Sequence, residues 1–181
     1  VSKHEKWINE KKKIVLERTK SFIEWEAFLF FWEEYKLKFE WESKKNHFDW
    51  KNFILWKKHK NQASIAFSNF YKHEARKYIE KRIKFISERF NLKFKDLKIT
   101  SAKTRWGSCT SAKNINFSYR LIMAPVNTVD YVIVHELAHL KEMNHSKKFW
   151  AVVEHMMDDL ELWDYKQHKK WLNKNWDKLI F

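Results

Sequence analysis

Residues 130 to 150 read Asp130-Tyr131-Val132-Ile133-Val134-His135-Glu136-Leu137-Ala138-His139-Leu140-Lys141-Glu142-Met143-Asn144-His145-Ser146-Lys147-Lys148-Phe149-Trp150. Inside this stretch His135 to His139 form an H-E-x-x-H, and His145 follows six residues later. The apolar run after Pro125, with Asn127 or Thr128 as the cap, predicts a helix through Leu140. On a helix, residues four apart share a face with about 5–6 Å between their Cβ atoms, so two imidazoles reach one metal ion. Glu136 stands about 100° round the helix, close enough to serve a water at the ion without being a ligand. A left-handed stop at Asn144 brings His145 back as the third ligand. Three protein ligands with one open position describe a catalytic zinc site, whereas a structural site is closed by a fourth. Zinc there acidifies water and polarises a carbonyl or phosphoryl oxygen, with Glu136 as the general base. One Zn2+ per chain is the expected cofactor. His4, His47, His59, His73, His155 and His168 have no partner at metal spacing and read as surface or packing residues.

Outward from this segment the periodicity changes several times. Ser146 caps a further helix through Phe149, Trp150, Val153 and Met157, and a last amphipathic helix carries Tyr165, His168, Trp171, Leu172 and Trp176. Upstream, Phe67, Phe70, Tyr71, Ala75, Tyr78, Ile79, Ile83, Ile86 and Phe90 make one apolar face of a long helix over residues 66 to 92. Strict alternation marks Glu34 to Glu40 as a strand, with Phe53 to Leu55 as a second and a polar turn at Ser43 to Asn46 between them. Leu97 to Thr100 and Asn114 to Phe117 alternate likewise, with a turn near Ser111 to Lys113. Residues 1 to 20 have the apolar spacing of a short amphipathic helix. The expected division is an N-terminal helix and strand-rich segment over 1–65 and a catalytic domain over 66–181.

Composition narrows the classes. Aromatic residues make up 18% of the 181, enough to fill a core and inconsistent with a disordered chain. No run of about 18 apolar residues exists, so no membrane-spanning segment is expected. Cys109 is the only cysteine, which excludes an internal disulfide and suits a reducing, cytoplasmic compartment. It has no basic partner in sequence that would make it a nucleophile. The net charge of +14 raises the question of nucleic acid, but six of 37 basic residues are arginine, and a solvated lysine surface is the simpler reading. The chain opens at Val1 rather than Met, which predicts further sequence upstream.

Arg105-Trp106-Gly107-Ser108-Cys109, then Asn116 to Pro125, then Asp130 to Trp150 together resemble the YgjP-like metal-dependent hydrolases, described as zinc metallopeptidases related to the SprT-like and WLM groups. The resemblance implies an α+β fold, a minimal zincin-like core in which a small antiparallel sheet packs on a long helix and the H-E-x-x-H helix. It implies His135, His139 and His145 as ligands and Glu136 as base. The ligand spacing equals that of metzincins, but Glu142 occupies their glycine position, so the turn is built differently. Arg105, Ser108 and Arg120 are candidates for substrate binding, or else Trp106 is core and Gly107 a turn. Glu154 is a candidate to orient a ligand imidazole, or part of a solvated face. Peptide hydrolysis on an extended chain at a sheet edge is the leading reaction. Metal-dependent hydrolysis of a nucleoside triphosphate such as UTP is the alternative, described for a member of the resembling family. The non-enzyme reading is a DNA-associated protein of the SprT-like kind.

One compositional feature remains. The chain has one Gly and eleven Trp, where average glycine usage near 7% gives about 13. Trp25, Trp32, Trp41 and Trp50 lie in polar, turn-like surroundings that favour glycine. Either glycine codons have been read as tryptophan, or the bias reflects genome drift.

Overall fold

The computed structural model describes residues 20–42, 46–49, 51–162 and 164–179. Residues 1–19 of the expected N-terminal helix, residues 43–45 of the expected turn and Trp50 lie outside them. Among the described residues, seven strands and four helices form an α+β fold: β1 (Ala27–Phe30), β2 (Glu33–Glu40), β3 (His47–Phe48), β4 (Asn52–Trp56), α1 (Ala63–Arg89), β5 (Asp96–Thr100), β6 (Gly107–Cys109), β7 (Asn114–Ser118), α2 (Val126–Ala138), α3 (Lys147–Asp159) and α4 (Tyr165–Asn175). A 3-10 segment, Tyr119–Met123, leads from β7 into α2.

The expected single antiparallel sheet is replaced by two small mixed sheets, of strand order β1-β2-β4-β3 and β5-β7-β6. In the first, β2 and β4 are parallel, with Leu37 opposite Phe53; in the second, β5 and β7 are parallel, with Leu97 opposite Ile115. Only β1–β2, β3–β4 and β6–β7 pair antiparallel. Alternation identifies a strand and its buried face but carries no information about the direction of its partner.

Helix α1 runs 27 residues, three residues earlier at each end than the apolar stripe suggested. It buries Phe67, Tyr71, Ala75, Ile79, Ile83 and Ile86, spaced by three and four residues. Asn91 at φ 50 ends it, with Asn91 N–H donating to the Glu88 carbonyl and Leu92 N–H to that of Ser87, the Schellman arrangement. The first sheet packs on this helix through aromatic rings, with Phe28 stacked on Phe67 at 4.1 Å and Phe53 edge-on to Phe70 at 5.2 Å.

Helix α2 differs from the expectation at both ends. Its N-cap is Pro125, whose carbonyl accepts from the N–H groups of Thr128 and Val129. Thr128 is instead buried in the helix, with its hydroxyl 3.1 Å from His168 Nδ1. Val129 and Tyr131 to Val134 are all 1% exposed or less. The helix is anchored to α1 by Asp130, which accepts from Arg82 Nη2 at 2.6 Å, Arg82 Nε at 3.1 Å and the Tyr78 hydroxyl at 2.9 Å.

This anchor generates a prediction. Removing one partner of a buried, bidentate ion pair leaves the other unsatisfied, so Asp130→Asn is expected to lower stability by about 2–4 kcal/mol in urea unfolding. Arg76→Ala, which breaks the exposed pair with Glu80, is expected to change it by less than about 1 kcal/mol.

Candidate active site

Helix α2 ends at Ala138, with His139 as its C-cap residue, so His135 and Glu136 sit in its last turn. The chain then turns through Leu140, Lys141 and Glu142, whose N–H groups donate to the carbonyls of Leu137 and Ala138. His145 returns at the threshold of α3, which Ser146 caps by accepting from the Phe149 N–H. Asn144 is not in the left-handed region: the turn is closed by short-range hydrogen bonds, among them Ser146 N–H to the Asn144 carbonyl at 2.7 Å, and needs no positive φ there.

This path brings His135, His139 and His145 together, with one ligand nitrogen from each lying within 4.8 Å of the others. The Nε2 atoms of His135 and His145 face each other at 3.0 Å. His139 Nδ1 donates to the Glu142 carbonyl at 3.2 Å, which leaves the Nε2 lone pair for a ligand and fixes the ring. Burial, together with His139, His145 and Lys169, pushes His135 down to about 3, and burial lowers His139 as well. Both rings are thus neutral at pH 7, the form that binds metal. Two buried polar atoms at this place have no partner, His135 Nδ1 and Glu136 Oε2. Orphaned buried polar atoms are expensive unless a water or ligand satisfies them, and three convergent imidazoles beside a carboxyl suit a zinc-like ion.

Glu136 is 4% exposed, and burial pushes its carboxyl up to about 8. It lies against Gly107 at the start of β6, where an added Cβ would stand 2.7 Å from Glu136 Oε1. Gly107 is therefore no turn residue. Its value was hidden in the sequence because a close approach between distant residues leaves no local pattern; its being the only glycine was the available signal.

Beyond Gly107 lies a cleft of about 470 Å³ lined by Thr100, Thr104, Arg105, Ser108, Asn116 and Ser118. Arg105 is exposed at it, and Ser108 Oγ accepts from Asn116 Nδ2 at 3.2 Å. Arg120 is not available to a substrate. It is 3% exposed, donates to the Ser101 carbonyl at 2.9 Å and stacks its guanidinium on the Tyr119 ring. It shapes the loop beside the cleft from behind. Glu154 is exposed on α3 and makes no hydrogen bond to an imidazole among the described residues. Burial and Glu136 push the Cys109 thiol up to about 11, which leaves it unreactive at neutral pH. An aromatic flank that sequence reasoning missed closes the other side: Trp150 stacks on His145 at 5.7 Å and on Tyr165 at 4.8 Å, with Lys169 over its ring.

A buried H-E-x-x-H helix with a third imidazole returning across a short turn is the arrangement of a metallopeptidase-type centre. The chain belongs to the YgjP-like family, whose metallopeptidase-domain model matches residues 1–175. Among curated proteins none matches it. Among solved structures, the crystal structure of the metallopeptidase zymogen of Pyrococcus abyssi abylysin is similar at 22% identity, over 42% of this chain and 76% of that one, with a TM-score of 0.39. No helix among the described residues is long and apolar enough to cross a membrane.

The raised Glu136 carboxyl gives a pH prediction for metal-free protein. Its folded value of about 8 lies above the ordinary 4.5, so the unfolded chain releases this proton first and stability falls as pH rises from 4.5 to 8. Glu136→Gln removes that loss. Thermal melting of the metal-free protein should show the variant gaining several degrees over the parent at pH 8 and little at pH 4.5.

Proposed function

We propose that the chain is a zinc-dependent endopeptidase, with one zinc ion held by His135, His139 and His145 and Glu136 as general base. The observation that carries this reading is the placing of the Glu136 carboxyl, buried beside three convergent imidazoles and against the edge strand β6. A zinc ion held there would supply Lewis acidity to the scissile carbonyl and to the attacking water. Glu136 would take a proton from that water and could pass it to the leaving amine. Strand β6 is the outer strand of its sheet, so its outward main chain can pair with an extended substrate as an added strand. Arg105 and Ser108 would then meet the substrate in the cleft, Arg105 favouring an acidic group there. The nucleotide alternative loses one of its expected cations, because Arg120 is buried against main-chain carbonyls.

Purified protein is expected to contain about one zinc per chain by elemental analysis, and His145→Ala to retain little of it. The zinc form should cleave casein and leave UTP intact, with all activity lost to a chelator. Glu136→Gln should keep the metal and lose about 10² to 10⁴ in hydrolysis. Activity within tenfold of the parent would remove Glu136 from the base role. Arg105→Ala is expected to lower kcat/KM for acidic peptides about tenfold and leave neutral ones nearly unchanged.

A further inference from the structure

We infer that Gly107 is a positioning residue for Glu136, an inference that rests on the reading of Glu136 as the base. Gly107 is not in the left-handed region, and it pairs with Phe117 as an ordinary strand residue. Its backbone would therefore accept any side chain. What excludes one is space. A Cβ would meet Glu136 Oε1 at 2.7 Å, Cγ at 2.8 Å and Cδ at 3.0 Å. The Glu136 backbone cannot withdraw, because its helix is fixed to α1 through Asp130, so its buried side chain is what must give way. The bare backbone of β6 is thus the floor on which the carboxyl lies, and the same residue borders the cleft. A methyl group here would turn the carboxyl away from the place between cleft and imidazoles.

The test combines Gly107→Ala with Glu136→Ala, which removes Cγ, Cδ and Oε1 together and so vacates the contested space. In metal-free protein, Gly107→Ala alone is expected to lower Tm by about 5 °C. In the Glu136→Ala background it should lower Tm by less than half as much, and recovery of folding there counts equally in favour. Equal loss in both backgrounds would mean a role in the strand alone and overturn the proposal. In the zinc form, Gly107→Ala should keep its metal and lose on the order of ten- to a hundredfold in kcat with KM nearly unchanged. An unchanged kcat also overturns it. Should Glu136→Gln prove active, the base reading fails while the Tm coupling still decides the contact.

A second inference stands on a different observation. Seven described residues other than glycine have left-handed φ, and two of them are Trp25 at 69° and Trp32 at 68°. Trp25 is the third residue of a turn closed by Glu26 N–H donating to the Ile23 carbonyl, and Glu24 before it is not left-handed. That is a type II turn, whose third position calls for glycine. Trp32 is the second residue of the Phe31-Trp32 link between β1 and β2, with both residues left-handed. That is a type I′ turn, favoured by Asn-Gly, with glycine where Trp32 stands. Bulky side chains in this region are strained. Burial does not compensate, since Trp25 is 58% and Trp32 37% exposed. Trp176, by contrast, is 7% exposed and donates from Nε1 to the Lys103 carbonyl at 2.7 Å. The only glycine serves the Glu136 contact, so no turn in the described residues has one.

We propose that Trp25 and Trp32 are glycines in the protein made by its own cells, encoded by UGA in a genetic code that reads this triplet as glycine. Trp41 has no left-handed φ and is not included. The gene should carry TGA at codons 25 and 32 and TGG at codons 106 and 176. Mass spectrometry of the native peptide spanning residues 21–36 should find glycine at both positions. TGG at these codons, or tryptophan in that peptide, overturns the proposal. In recombinant protein, Trp25→Gly should raise Tm by about 2–4 °C. Trp32→Gly should raise it less, because the indole contacts Trp171 at 4.7 Å. A fall in Tm for Trp25→Gly would refute the strain on which the argument rests.

Discussion

The burial of α2 is the constraint on which the rest of the molecule depends. Val129, Tyr131, Val132, Ile133, Val134, Leu137 and Ala138 are all essentially inaccessible, so beyond its first turn this helix has no solvent-facing stripe. A helix apolar all round must be covered on every side. Helix α1 covers one side and is bound to it through Arg82, Tyr78 and Asp130; α3, α4 and β6 cover the others. The contact also sets the chemistry. A charged group at the end of such a helix is poorly solvated, which is why His135 loses its proton readily and Glu136 holds its own.

The polar groups around the centre serve two different tasks. Asp130 and Arg120 are buried and hydrogen-bonded, one joining two helices and the other fixing the loop at Ser101 and Ala102. They hold the frame. Arg105 and Ser108 line an open cleft, where an added group can still find partners. His168 belongs with the first set: it donates from Nε2 to the Leu162 carbonyl, receives Thr128 at Nδ1 and stacks on Tyr131, tying α4 to α2. The first sheet is bound to the same frame, because the N–H groups of Phe31 and Trp32 donate to the carbonyls of Ile122 and Met123 just before α2.

The sequence by itself determined whatever depends on neighbours within a turn or two. The three- and four-residue spacing from Phe67 to Ile86 located α1, the alternation at Glu34 to Glu40 located β2, and Ser146 marked the start of α3. The spacing of His135, His139 and His145 was enough to bring three imidazoles together, because helix pitch and one short turn fix their separation. Tertiary structure decided the rest. It made β2 and β4, and β5 and β7, parallel; it buried Arg120 while leaving Arg105 open; and it set Gly107 against Glu136 across 29 positions of chain. Strand direction, desolvation and close approach are properties of pairs far apart in sequence. They are settled by which surfaces pack together, and no local periodicity records that choice.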